Sequence, residues 1–159
     1  MQDKPLTKEF YLPHKAVVRD TAESTKLCIV YDASARPNGN SSSLSECLES
    51  GPPLQNKLWS VIVRNLFHPV ALAGDLKQAF LQIRIREADR DVMRFHWLKD
   101  LTSNEVETLR FTRALFRLAI SSFLLGVVID QHLQSLETKY PEEVDQIRRG
   151  LYVDNLIYR

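Results

Sequence analysis

The chain has 159 residues, 44% hydrophobic and 26% charged, enough for one domain with a buried core. Its 21 basic and 20 acidic side chains leave a net charge of +1, so any site for a polyanion must come from local clustering. Two cysteines, Cys28 and Cys47, exclude a disulfide framework and lack metal-ligand spacing.

Reduced thiols of this kind suit an intracellular protein, cytoplasmic or nuclear. The longest apolar run, Leu118 to Ile129, is too short to span a bilayer. The polar opening Met1-Gln-Asp-Lys-Pro5 does not read as a secretory signal, so a soluble protein with no membrane partner is expected.

Residues 1–13, punctuated by Pro5 and Pro13, read as a polar lead-in arm. His14 to Arg19 and Lys26 to Tyr31 are strand-like runs around a polar turn, which predicts a β-hairpin with Arg19 and Lys26 near its tip. Those cations suit either a charged, blunted sheet edge or an anion contact. Gly51-Pro-Pro53 is a stop, and the spacing of Leu54, Leu58, Val61, Ile62 and Leu66 predicts an amphipathic helix to Phe67, packed on a sheet.

Val70 to Gly74 is then an apolar strand expected to be buried, with Asp75 emerging at its end. Gln82 to Arg86 alternates as a half-exposed strand would. The acidic stretch Glu87 to Asp91 suits a helical turn, and Val92 to Trp97 another strand with a hairpin partner from Val106 to Thr112. Arginines 84, 86, 90 and 94 could track a phosphate backbone, but Glu87, Asp89 and Asp91 point to a solvated face with local ion pairs. Leu118 to Leu136 is apolar almost all round at first, as a buried helix would be. Pro141-Glu-Glu143 opens a second helix, which Gly150 ends. The alternation from Leu151 to Arg159 predicts a hairpin with Asp154-Asn155 at its turn.

Asp75 and Asp154 each sit where an apolar β-segment stops. On adjacent strands their carboxylates would repel one another and be stabilised by a divalent cation, the arrangement used in two-metal phosphoryl transfer. The structural alternative makes Asp154 a turn residue and Asp75 the N-cap of a helix starting at Leu76.

Six blocks in order resemble the reverse transcriptase domain of Pao/BEL-type long-terminal-repeat retrotransposons. They are Tyr11-Leu-Pro-His-Lys-Ala-Val-Val18, Val30-Tyr-Asp-Ala-Ser-Ala35, Leu48-Glu-Ser-Gly-Pro-Pro-Leu54, Asp75-Leu-Lys-Gln-Ala-Phe-Leu-Gln-Ile83, Asp89-Arg-Asp-Val-Met-Arg-Phe-His-Trp97 and Tyr152-Val-Asp-Asn155. The resemblance implies an α+β right-hand polymerase: a fingers-like segment over 14–68, a palm-like segment over 69–159 with an antiparallel sheet packed on helices, and the thumb absent.

It also implies RNA-directed DNA polymerase chemistry with Mg²⁺ or Mn²⁺ on Asp75 and Asp154, and a template-primer and dNTP as partners. Missing parts such as thumb and RNase H would come from a longer polyprotein. By the same resemblance Leu76, Ala79, Phe80 and Phe116 line the nucleotide pocket, with Phe80 as a steric gate, although a plain core phenylalanine has the same spacing. Arg19 and Lys26 lie near the triphosphate.

The chain departs from the family at four places. Asn155 stands for a second Asp, Cys28 for a triphosphate Arg, Arg117 for a Gly, and Ser121-Ser-Phe123 for Ser-Pro-Phe. The expectation is a fragment inactive alone. The alternative is a decayed, non-catalytic remnant that binds at most nucleic acid or a partner.

Overall fold

The computed structural model describes residues 9–18, 27–100 and 102–158. The chain is a mixture of helices and small antiparallel sheets, arranged as two compact units. One unit comprises residues 1–48 and 84–112, the other residues 49–83 and 113–159. Residues 1–8, with most of the expected arm, and the hairpin tip with Arg19 and Lys26 lie outside the described residues.

In the first unit, β1 (His14–Val18) pairs antiparallel with β2 (Leu27–Tyr31), as their alternation predicts, and the short helix α1 (Leu44–Cys47) follows. β4 (Arg94–Asp100) pairs with β5 (Glu105–Arg110), and a 3-10 helix over Glu87–Met93 takes the acidic stretch. Aromatic rings form the core here: Tyr31 meets Phe95 and Phe111 edge-on at centroid distances of 5.2 and 4.8 Å. His14 lies stacked near Trp97 at 5.8 Å. Residues 10–12 run along the 91–94 segment, with the Leu12 amide donating to the Arg94 carbonyl at 2.7 Å and the Leu12 side chain buried.

The expected strand from Gln82 to Arg86 does not form. Gln82 ends a short helix, and Ile85 makes a single ladder-type bond to the Thr112 carbonyl. Arg94 pairs with Glu9 and Asp91, and Arg110 with Asp91 and Glu87, all at 3.0–3.1 Å. Hydrogen bonds from Arg94 and then Arg110 hold the Asp91 carboxyl below the usual carboxylate range.

In the second unit a three-stranded antiparallel sheet has the order β3-β7-β6, with β3 at Leu72–Asp75, β6 at Leu151–Tyr152 and β7 at Asn155–Tyr158. β3 is an edge strand whose four residues are all exposed, so the expectation of a buried strand is corrected. Its outer edge has no pairing partner among the described residues, and burial from one side only leaves Leu72 half exposed.

α2 runs over Leu58–Leu66, starting four residues later than its apolar spacing predicts. The Asn56 amide explains the delay: it donates to the carbonyls of Arg148 at 2.6 Å and Leu151 at 2.8 Å, holding the lead-in out of the helix. α2 also turns its face differently. Val61 is fully buried and Arg64 donates to the Arg149 carbonyl at 3.0 Å, while Leu58, Ile62 and Leu66 stay exposed.

α4 (Ser121–Leu136) buries one side only, through Ser121, Leu125 and Leu133, with Val127 and Val128 exposed, so it is not the buried helix its composition predicts. The Ser121 hydroxyl donates to the Leu115 carbonyl at 2.5 Å. α5 spans Pro141–Gly150, with Glu142 and Glu143 in its first turn and Arg148 and Arg149 in its last, complementing the helix dipole. Gly150 is needed because the chain passes the β7 backbone there: a Cβ would collide with the Ile157 carbonyl oxygen. Among the described residues no helix is long and apolar enough to cross a membrane.

Candidate functional site

The sheet of the second unit brings together two acids far apart in sequence. Asp75 is the last residue of β3, directly opposite Asn155, the first residue of β7. The Leu76 amide then donates to the Asp154 carbonyl at 2.8 Å. Asp75 and Asp154 therefore sit at the same end of neighbouring strands, as carboxylates sharing a ligand require. Asp75 is not a helix N-cap. The next helix, α3 (Ala79–Gln82), follows Gln78, and no side-chain cap precedes it.

The β6–β7 turn is placed one residue earlier than expected. Tyr152 pairs with Asn155, so Val153 and Asp154 are the central residues, and Asn155 belongs to the strand. The pairing of Asn155 with both Asp75 and Tyr152 sets this register. Asn155 also donates its side-chain amide to the Asp154 carboxylate at 3.1 Å. A carboxylate in its place would repel Asp154 instead, so the amide exchanges cation-binding charge for a hydrogen bond that steadies the turn.

Four non-glycine residues among the described ones have positive φ: Gln78 (53°), Asn104 (53°), Arg117 (70°) and Val153 (58°). Asn104 lies in the first unit's hairpin loop, where such a residue is ordinary. The other three flank candidate residues, between Leu76 and Ala79, after Phe116 and before Asp154. Each costs on the order of 1–3 kcal/mol, most for the β-branched Val153, and such costs concentrate at functional sites. None of these backbone angles is visible in the sequence pattern. The one hint is Arg117, which occupies the position where the resemblance expects glycine.

Phe80 and Ala79 are buried in α3, and Leu76 is exposed just before it. Phe80 meets Phe116 at a centroid distance of 5.3 Å and an interplanar angle of 65°. Phe116 itself is 63% exposed. Phe80, Phe116, Asp75, Asp154, Leu76 and Ala79 thus all belong to the second unit. Cys28 is exposed on β2 of the first unit, and Arg19 and Lys26 lie outside the described residues.

The donor set can be tested against a divalent cation. Mg²⁺ is commonly held by one or two carboxylates with water completing the shell. Asp75 and Asp154 provide these, and the Leu76 carbonyl, which accepts one bond from the Ala79 amide at 3.1 Å, keeps a lone pair. In number and chemistry these donors would suit one cation at most. A second would bring the charge to +4 against two carboxylates, with Asn155 neutral. Among the described residues no group of three or more His, Cys, Asp or Glu side chains converges. Neither a family model nor a curated protein matches the chain.

Proposed function

We propose that the chain is a reverse-transcriptase-like unit of the Pao/BEL type whose second unit is a palm, and that by itself it does not extend a primer. The single observation that carries this reading is the pairing of β3 with β7, which sets Asp75 beside the Asp154-Asn155 turn. The strained residues around the same constellation support it. In this reading Asp75, Asp154 and the Leu76 carbonyl hold one Mg²⁺ or Mn²⁺, which when bound supplies Lewis acidity at a nucleotide phosphate.

The chain's own residues do the rest. Asn155 orients the Asp154 carboxylate by its 3.1 Å bond, and Phe116 with Phe80 behind it offers a flat apolar wall. The missing charges account for inactivity: Asn155 in place of a carboxylate, and Cys28 where a bidentate guanidinium would grip the triphosphate.

The experiment is incorporation of a single dNTP opposite a template base in Mn²⁺. Wild type gives none, and the double variant Asn155→Asp, Cys28→Arg gives detectable product that Asp75→Ala abolishes. No product from the double variant, or product that survives Asp75→Ala, overturns the reading.

A second reading, a non-catalytic remnant, is favoured by the Asn155–Asp154 bond, which stabilises the turn without any ion. It predicts no Mn²⁺ uptake and, at most, salt-dependent nucleic-acid binding through cations such as Arg84 and Arg86. These two make no ion pair with any described residue.

A further inference from the structure

α2 carries its most apolar side toward solvent. At 3.6 residues per turn Leu58, Ile62, Leu66 and Trp59 fall within one arc of about 100°, the width of a face that normally packs on a core. They are 44%, 36%, 67% and 72% exposed, and Phe67, the C-cap residue, is 83% exposed. The other side of the helix holds it to the second unit, through the buried Val61 and the bond from Arg64 to the Arg149 carbonyl.

The stripe is large and uncharged. An aromatic side chain covers roughly 150–250 Å², so Trp59 and Phe67 leave on the order of 300 Å² open between them. With the three aliphatic side chains the total is on the order of 600 Å², as much as a typical monomer leaves in its largest apolar patch. Two copies would bury about 1,200 Å², the lower limit of a specific interface. From Leu58 to Gly74 the single Lys, Arg, Asp or Glu is Arg64, and its hydrogen bond lies on the helix's other side. A two-fold interface sets residues near their own copies, so a charged patch repels itself and this one does not.

We propose that this face docks a second copy of the chain, the two α2 helices packing antiparallel about a two-fold axis near Ile62, the middle of the stripe. Leu58 and Trp59 then meet Leu66 and Phe67 of the partner subunit. The contact involves neither Asp75 nor Asp154 and needs no metal.

The test is sedimentation velocity in EDTA from about 1 to 100 µM, where an interface of this modest area associates. Wild type is expected to move from the 18.3 kDa of one chain toward twice that mass. Ile62→Glu and Ile62→Lys should each stay single at every concentration, with the circular dichroism spectrum of wild type. Their equimolar mixture should restore the pair, which two misfolded variants could not do. Asp75→Ala should leave association unchanged, as should Val106→Glu at an exposed position of the first unit.

A wild type that stays single at the highest concentration overturns the proposal, as does association that survives both Ile62 variants. A mixture that stays single also overturns it, because the helices then do not meet at Ile62. If the chain stays single and, in a Trp97→Phe background, Trp59 emission shifts to the blue on phosphatidylcholine vesicles, the face belongs to lipid and the proposal falls.

Discussion

Replacing Gly150 by alanine tests the junction on which the candidate site rests. A Cβ at this position would collide with the carbonyl oxygen of Ile157, lie 3.1 Å from its carbonyl carbon and 3.3 Å from Leu156 Cδ1. The first two obstacles are backbone of β7, the strand that begins with Asn155, so no rotamer change removes them. Either the C-terminus of α5 or β7 must shift. Overpacking in a fixed environment costs about 1–3 kcal/mol, and backbone on the receiving side puts this case at the upper end.

The assay is thermal unfolding followed by circular dichroism. At roughly 2–4 °C per kcal/mol for a chain of this size, the expected fall in the second unit's midpoint is about 5–10 °C. Gly39→Ala is the internal control, because nothing lies within 4 Å of its added Cβ. A Gly150→Ala midpoint within a degree of both wild type and Gly39→Ala would refute the close approach of α5 and β7.

Asn56→Ala removes both donors to the Arg148 and Leu151 carbonyls and should cost about 1–3 kcal/mol in urea unfolding, with Asn56→Asp worse because a carboxylate would face the same carbonyls. Ser121→Ala should cost about 1 kcal/mol, since the buried Leu115 carbonyl loses its hydroxyl partner. Asp91 is held below its ordinary value by Arg94 and Arg110, so its contribution is present above the unfolded carboxylate pKa and lost as pH falls through the lower folded one. Asp91→Asn should therefore flatten the acid limb of a stability–pH curve below about pH 4, and an unchanged limb would count against the Arg94–Asp91–Arg110 cluster.

The parts of the fold legible in the sequence are those set by local pattern. Alternation located β1, β2 and the β4–β5 hairpin, and the proline and acids at 141–143 located the start of α5. The pairing of Asp75 with the late hairpin was one of two readings that the spacing left open, the other being a helix cap and a plain turn, and the β3–β7 ladder is what decides between them.

What was not legible depends on long-range partners. The Leu54–Leu66 spacing gives an apolar stripe but not the Asn56 and Arg64 bonds that delay α2 and turn its face. The apolar run after Leu118 gives a helix but not how much of it is covered. Asn155 has the composition of a turn residue, yet two cross-strand pairings make it a strand residue and leave Val153 to take the positive φ. The positive φ of Arg117 carries no sequence signal beyond the missing glycine.

The central claim is that Asp75 and Asp154 share a cation. Calorimetric titration of Mn²⁺ into wild type, Asp75→Ala and Asp154→Ala measures it most directly, with circular dichroism confirming that all three are folded. The account predicts one ion per chain in wild type and none in either variant. Identical heats in all three, or no heat in wild type, would contradict it.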